Sequence, residues 1–176
     1  TVYGIGCDPW NRSAIERILR MKRRESQNTM LLLADSRIMA EDAFGRLDAL
    51  ASLLAGKFWP GPLTLIFKPV RGAPDYLLGP SGGVAVRATA HPVAAAIIHA
   101  FGKPIVSTSA NVSGLPPAAS ESEAVDLFGD AADMTVSSQV PPGGKPSTIV
   151  DTVSGIPLLV REGAIPFRRI LEESGL

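Results

Sequence analysis

A chain of 176 residues, 45% of them hydrophobic, is long enough for one domain that buries roughly 70% of its unfolded surface, and no apolar run approaches the roughly 18 residues of a membrane span. Seventeen basic and seventeen acidic residues cancel, which excludes a surface given over wholly to nucleic acid, because such binding rests on neutralising phosphates. The one cysteine, Cys7, cannot form an intrachain disulfide, which fits a reducing cytosol and a cytoplasmic protein.

No signal-peptide pattern opens the chain, and Thr1 is expected to lie mid-element, with an N-terminal strand missing before it. Ser13-Ala-Ile-Glu16 has the pattern of a capping box. Ile15, Ile18 and Leu19 follow at helical spacing, which predicts a helix ending near Lys22. Met30–Ala34 is a short, fully apolar run and reads as a buried strand. Leu47, Leu50, Ala51, Leu54 and Phe58 trace one helical face, halted by Trp59-Pro-Gly-Pro62. Leu63–Phe67 and Val84–Arg87 read as strands. Pro92 suits a first helical turn, with Val93, Ala94, Ile97, Ile98 and Phe101 facing inward and Gly102 as the stop. Ser120–Glu123 is a second capping box, opening a helix to about Phe128. Strands are predicted at Met134–Val136, Thr148–Asp151 and Leu158–Arg161, and a last helix at Phe167–Glu173. After residue 60 the order is not a clean alternation of strand and helix, because some strands follow one another directly. The fold class is therefore α/β, one domain over residues 1–176, with a mixed parallel and antiparallel sheet flanked by helices.

The segment Ile105-Val-Ser-Thr-Ser-Ala-Asn-Val-Ser113 carries most of the functional signal. A short β-branched run delivers Ser107, Thr108, Ser109, Asn111 and Ser113 to a Gly-Pro loop, and open α/β sheets bind ligands at strand ends. Hydroxyls, amides and freed N–H groups grip phosphate or carboxylate oxygens; the same residue types also dominate ordinary turns. Arg17, Arg20, Lys22, Arg23 and Arg24 place five cations in eight residues. They form either a solvated helix C-terminus or a phosphate clamp. Arg87 closes an apolar strand, so it is either ion-paired or faces a cleft, and Arg161 poses the same choice. Gly143-Gly-Lys-Pro-Ser-Thr148 fails as a Walker A loop, because Pro146 interrupts it and a strand follows. Ser147 can still offer a hydroxyl. His91 and His99 lack further ligands at metal spacing, so no zinc site is read. No Gly-x-Ser-x-Gly elbow is present. Phe58 and Trp59 read as core packing.

Taken together, these segments resemble the YrdC-like domain family of threonylcarbamoyl-AMP synthases. The resemblance rests on Thr1-Val-Tyr-Gly-Ile-Gly-Cys7, Lys22-Arg-Arg24, Phe58-Trp-Pro-Gly-Pro-Leu-Thr64, Val84-Ala-Val-Arg87 with His91-Pro92, Ser107–Pro116, Pro146–Asp151 and Val160–Ile165. All occur in family order, and the chain resembles the short form. The resemblance implies a concave, positively charged cleft and a nucleotidyltransferase reaction. ATP, L-threonine and bicarbonate give threonylcarbamoyl-AMP and pyrophosphate, with Mg²⁺ accompanying the ATP. It implies a partner transferase complex that passes the group to tRNA. It further implies that Thr1, Arg87, Ser107 and Ser147 bind threonine, that Ser109, Asn111 and Arg161 bind ATP, and that Lys22 and Arg24 face its phosphates as catalytic cations. Glu25 and Asn28 stand where the family carries Pro and Lys. The missing cation is expected to weaken ATP binding by about 1–3 kcal/mol. The strand Leu31–Leu33 lacks a polar residue that some members carry.

Two other readings follow from the same residues. The cation run Arg17–Arg24 suggests an RNA-binding or ribosome-assembly module with no ATP turnover and direct RNA contact. Related domains also occur in carbamoyltransferases of much greater length.

Overall fold

The computed structural model describes residues 1–23 and 30–175. Among these residues seven strands form one sheet in the order β1-β5-β2-β4-β3-β6-β7. They are β1 (Gly4–Cys7), β2 (Leu31–Ala34), β3 (Leu63–Phe67), β4 (Val84–Ala88), β5 (Ile105–Ser109), β6 (Thr148–Asp151) and β7 (Leu158–Arg161). The β2–β4 and β3–β6 pairs are parallel and the other four are antiparallel. The mixed sheet is the one that the broken alternation of strands and helices after residue 60 predicts.

Among the described residues six helices accompany it: α1 (Arg12–Met21), α2 (Arg37–Phe44), α3 (Ala49–Phe58), α4 (Pro92–Phe101), α5 (Glu121–Phe128) and α6 (Phe167–Ser174). Helix α1 is capped by Asn11, not by Ser13. The Asn11 Oδ1 accepts from Ala14 N at 3.2 Å, while Ser13 donates to that oxygen at 2.7 Å. Glu16 pairs with Arg12 at 3.0 Å instead of closing a capping box. Helix α2 is an addition to the sequence reading. Ser36 caps it by accepting from Met39 N, but only Ala40 and Phe44 of its residues are buried, so its apolar stripe is too short to register. In α4, Pro92 occupies the first turn and Gly102 closes the helix in the left-handed region at φ 79°. Its inward face is narrower than its composition suggests. Only Ile98 is fully buried, and Phe101 is 42% exposed. Met134–Val136 is not a strand. No strand pairs with it among the described residues, and Met134 is 74% exposed. Propensity alone does not make a strand without a packed neighbour.

The register sorts the sheet into two faces, because residues paired across strands point the same way and alternate along each strand. One face carries Leu32, Leu63, Leu65, Val86, Val106 and Val150. They pack with Ile15 and Ile18 of α1, Phe44 of α2, Leu54 and Phe58 of α3 and Ile170 of α6 as the main core. The opposite face is different in kind. Ser109 pairs with Gly4 and Ser107 with Gly6. Ile105 pairs with Leu33, and Leu33 with Arg87. Thr64 pairs with Ile149, and Ile149 with Arg161. Extending the β3–β4 register one step past Leu65 and Val86 sets Thr64 beside Arg87. Serines, arginines and a threonine from the four strands β3, β4, β5 and β7 thus share one face.

Candidate active site

Arg87 stands at the centre of that face, near the end of β4, and is only 7% exposed. One guanidinium nitrogen donates to the Thr1 hydroxyl at 3.3 Å. The Nε is buried with no hydrogen-bond partner, and Arg87 joins no ion pair among the described residues. Burial pushes its pKa down to about 10, which leaves it cationic at neutral pH. A buried cation without a counter-charge is costly. Its fork geometry matches a planar carboxylate.

Beside it, Thr64 and Ser147 share a hydrogen bond of 2.8 Å between buried hydroxyls. Arg161 lies on an exposed edge strand, but its guanidinium turns onto Ser147, donating to the carbonyl at 2.9 Å and reaching the hydroxyl at 3.4 Å. That partial desolvation lowers its pKa. Thr148 supports the group from the core side. Its hydroxyl donates to Ile165 O and accepts from the N–H groups of Gly163 and Ile165. This staple brings Gly163 so close to Ser147 that a Cβ there would stand 2.4 Å from Pro146 O and 2.6 Å from Ser147 O. The segment before Ser147 is tied to the Arg87 region through Gly144 N, which donates to Thr1 O at 2.6 Å.

The third part of the site is the turn after β5. The side chain of Lys22 is 3% exposed. Its ammonium donates to Asn111 O and Asn111 Oδ1, both at 2.8 Å, and to Ser109 O. Ser109 Oγ donates to Asn111 Oδ1 at 2.5 Å, and Asn111 Nδ2 donates to Leu115 O at 2.6 Å. Lys22 and Asn111 are thus both engaged with the turn. Among the described residues the Lys22 ammonium reaches into the turn, where the sequence reading expects a cation facing phosphate. The Asn111 amide likewise spends both its oxygen and its nitrogen within the turn.

The basic cluster does not act as a unit. Arg17 pairs with the Asp133 carboxylate at 2.9 Å and with Ala131 O, Lys22 is buried, and Arg24 lies outside the described residues, as do Glu25 and Asn28. Arg87, Ser107, Ser109 and Arg161 share one face, with Thr1 and Ser147 hydrogen-bonded to its arginines. Thr64 and Thr148 are additions. The signal for Thr64 was a single polar residue inside the apolar strand Leu63–Phe67. His91 caps α4, accepting from Ala94 N, and His99 stands 3.2 Å from Asp35. Among the described residues no three His, Cys, Asp or Glu side chains group as metal ligands, and no helix is long and apolar enough to cross a membrane.

Comparison with known proteins decides the family. Residues 1–163 match the model of the Sua5/YciO/YrdC family, described as telomere recombination. The chain belongs to this family. A threonylcarbamoyl-AMP synthase of Marinobacter nauticus is 39% identical over 158 residues, covering 88% of this chain and 82% of that protein. Among solved structures of the Sua5/YciO/YrdC family, P. abyssi Sua5 complexed with L-threonine superposes with a TM-score of 0.89 at 31% identity. The match covers 98% of this chain but 51% of that one, so the chain spans about half of that relative. E. coli YciO gives a TM-score of 0.85 at 26% identity, covering 97% of this chain and 83% of its own.

Proposed function

We propose that this protein is a nucleotidyltransferase that makes threonylcarbamoyl-AMP and pyrophosphate from ATP, L-threonine and bicarbonate, in the cytoplasm, for transfer to tRNA by a partner complex. The observation that carries this reading is Arg87, a buried cation whose only hydrogen bond among the described residues goes to a hydroxyl and whose Nε has no partner among them. Such a group calls for an anion of carboxylate shape. A relative solved with L-threonine and another named for the synthase supply the substrate class.

In this reading Arg87 and Thr1 hold the threonine carboxylate. Ser147, buttressed by Thr64, faces the body of the amino acid, and Ser107 lines the carbamate beside it. The threonine amine takes up bicarbonate, releasing water and leaving a carbamate. A carbamate oxygen then attacks the α-phosphorus of ATP, and the bond from that phosphorus to the bridging oxygen of pyrophosphate breaks. Charge on the phosphates is met by Arg161 and by Arg24, which lies outside the described residues, with Mg²⁺ arriving on the ATP as part of the substrate. Ser109 and the turn it belongs to face the nucleotide. No protein nucleophile is needed. The work is alignment and neutralisation of three anionic groups.

The test is release of pyrophosphate from ATP with threonine and bicarbonate supplied together or singly. The reading expects release only with both, and a product carrying label from bicarbonate. Release independent of threonine, or none under any combination, overturns it.

A further inference from the structure

Lys22 occupies an unusual place for a cation that two arginines follow in sequence. It sits at the C-terminal end of α1, where its backbone N–H donates to Ile18 O at 2.9 Å and its carbonyl accepts from Ser113 N at 2.9 Å. Its side chain runs inward to a point where three oxygens of one turn converge, namely Ser109 O, Asn111 O and Asn111 Oδ1. An ammonium has three N–H donors and no acceptor, so it suits a place where carbonyl oxygens converge. Without a cation between them these oxygens would repel one another in a site shielded from water. Asn111 Oδ1 also takes the Ser109 hydroxyl, and Asn111 Nδ2 fastens Leu115 O. The turn therefore has Lys22 as its hub on both side-chain and backbone levels.

We infer that Lys22 is a positioning residue, which holds the Ser109–Leu115 turn in the shape that meets the nucleotide and does not itself ligate phosphate. This deepens the synthase reading and rests on it. A phosphate ligand and a positioning residue leave different signatures. Loss of a phosphate ligand weakens ATP far more than AMP, because the missing charge faced the groups that AMP lacks. Loss of the hub distorts the turn that both nucleotides meet.

The decisive comparison is equilibrium binding of AMP and of ATP to wild-type protein, Lys22→Gln and Lys22→Met. Affinities are expected to fall about tenfold or more in Lys22→Met and less in Lys22→Gln, which keeps two donors, by the same factor for both nucleotides. In an Asn111→Ala background, Lys22→Met should cost markedly less than it does alone, since the two share one network. An ATP-selective loss, or no loss, overturns the inference. A second measurement needs no ligand. Amide hydrogen exchange of Ser113 and Ala118 should quicken at least tenfold in Lys22→Met while the amides of α3 keep their protection, and unchanged exchange overturns the inference. If the variant does not fold, the buried ammonium of wild-type Lys22 can be followed by ¹⁵N NMR. It should respond alike to AMP and ATP, and a response to ATP alone overturns the inference. Failure of the wild-type protein to bind either nucleotide counts against the synthase reading, while the exchange experiment still decides the role of Lys22.

Discussion

The hydroxyls of Thr64 and Ser147 meet at 2.8 Å between the parallel strands β3 and β6, both closed off from solvent. This bond fixes the rotamer of Ser147, which also carries the contact from Arg161. Thr64→Val removes it at constant shape, and Thr64→Ser keeps it while losing a methyl. Each variant should lose about 1 kcal/mol in urea unfolding, the first through the hydrogen bond and the second through apolar burial. Only Thr64→Val should raise the KM for threonine, by roughly tenfold. An unchanged KM in that variant would mean that Ser147 is held by other contacts.

Arg87 gives a prediction in which stability and binding move in opposite directions. Its pKa is pushed down to about 10 by burial. A base whose folded pKa is depressed binds fewer protons folded than unfolded only above that value, so at neutral pH the cost of burying the charge is present in full. Arg87→Met removes the charge and keeps the bulk. It should leave the ligand-free protein as stable as wild type or more so by about 1–3 kcal/mol. It should also weaken threonine binding by about tenfold to a hundredfold, the scale of a charge-assisted hydrogen bond. Thermal unfolding with and without threonine checks both. A variant that is destabilised but still gains the full threonine shift would assign Arg87 to structure alone.

Much of this site was legible in the sequence because single residues broke a local pattern. Arg87 ends an apolar strand, and Ser107 and Ser109 alternate along a β-branched one, so the pleat itself sets them on one face. Pro92 and Gly102 marked the ends of α4, and Ser120 marked the start of α5, by local rules of capping. The role of Lys22 was not legible, since whether it points outward depends on a turn 87 residues away in sequence. Helix α2 was hidden because Ile38, which its pattern offers as core, faces solvent. Met134–Val136 has strand composition but no partner strand among the described residues, and pairing is a tertiary property. Ser13-Ala-Ile-Glu16 fits the capping box in sequence, but Asn11 is already extended two residues earlier and takes the cap.

Cys7 supplies a pH dependence with a definite sign. Burial, aided by the neighbouring Asp8 carboxylate, raises its thiol from 9.0 to about 11. An acid whose folded pKa is raised keeps its proton in the folded state after the unfolded chain has lost it. Its contribution to stability is therefore complete below about pH 9 and is lost as pH rises through about 11. Wild-type protein should lose stability over that window more steeply than Cys7→Ala, whose cavity cost does not vary with pH. Alkylation by iodoacetamide should follow the same rise, with a midpoint well above that of free cysteine. Parallel pH profiles for the two proteins, with a reaction midpoint near that of free cysteine, would refute the assignment.

Gly163 tests whether the staple at Thr148 reaches the chemistry. A Cβ at this position would lie 2.4 Å from Pro146 O and 2.5 Å from the Ser147 carbonyl carbon. Both are backbone atoms, so no side-chain adjustment relieves the clash, and Gly163→Ala must shift one backbone segment against the other. The Thr148 hydroxyl, which accepts from Gly163 N at 2.9 Å and Ile165 N at 3.0 Å, resists that shift from below, so Ser147 is the part that moves. The expected cost is about 1–3 kcal/mol of stability, as for overpacking elsewhere. Displacing Ser147 by even a fraction of an ångström also disturbs its bonds to Thr64 and Arg161 together. Turnover should therefore fall by at least tenfold at temperatures where the variant remains fully folded. Thr148→Val, which loses the staple without adding an atom near Ser147, should be intermediate. Full activity in folded Gly163→Ala would separate the Ser147 region from the reaction.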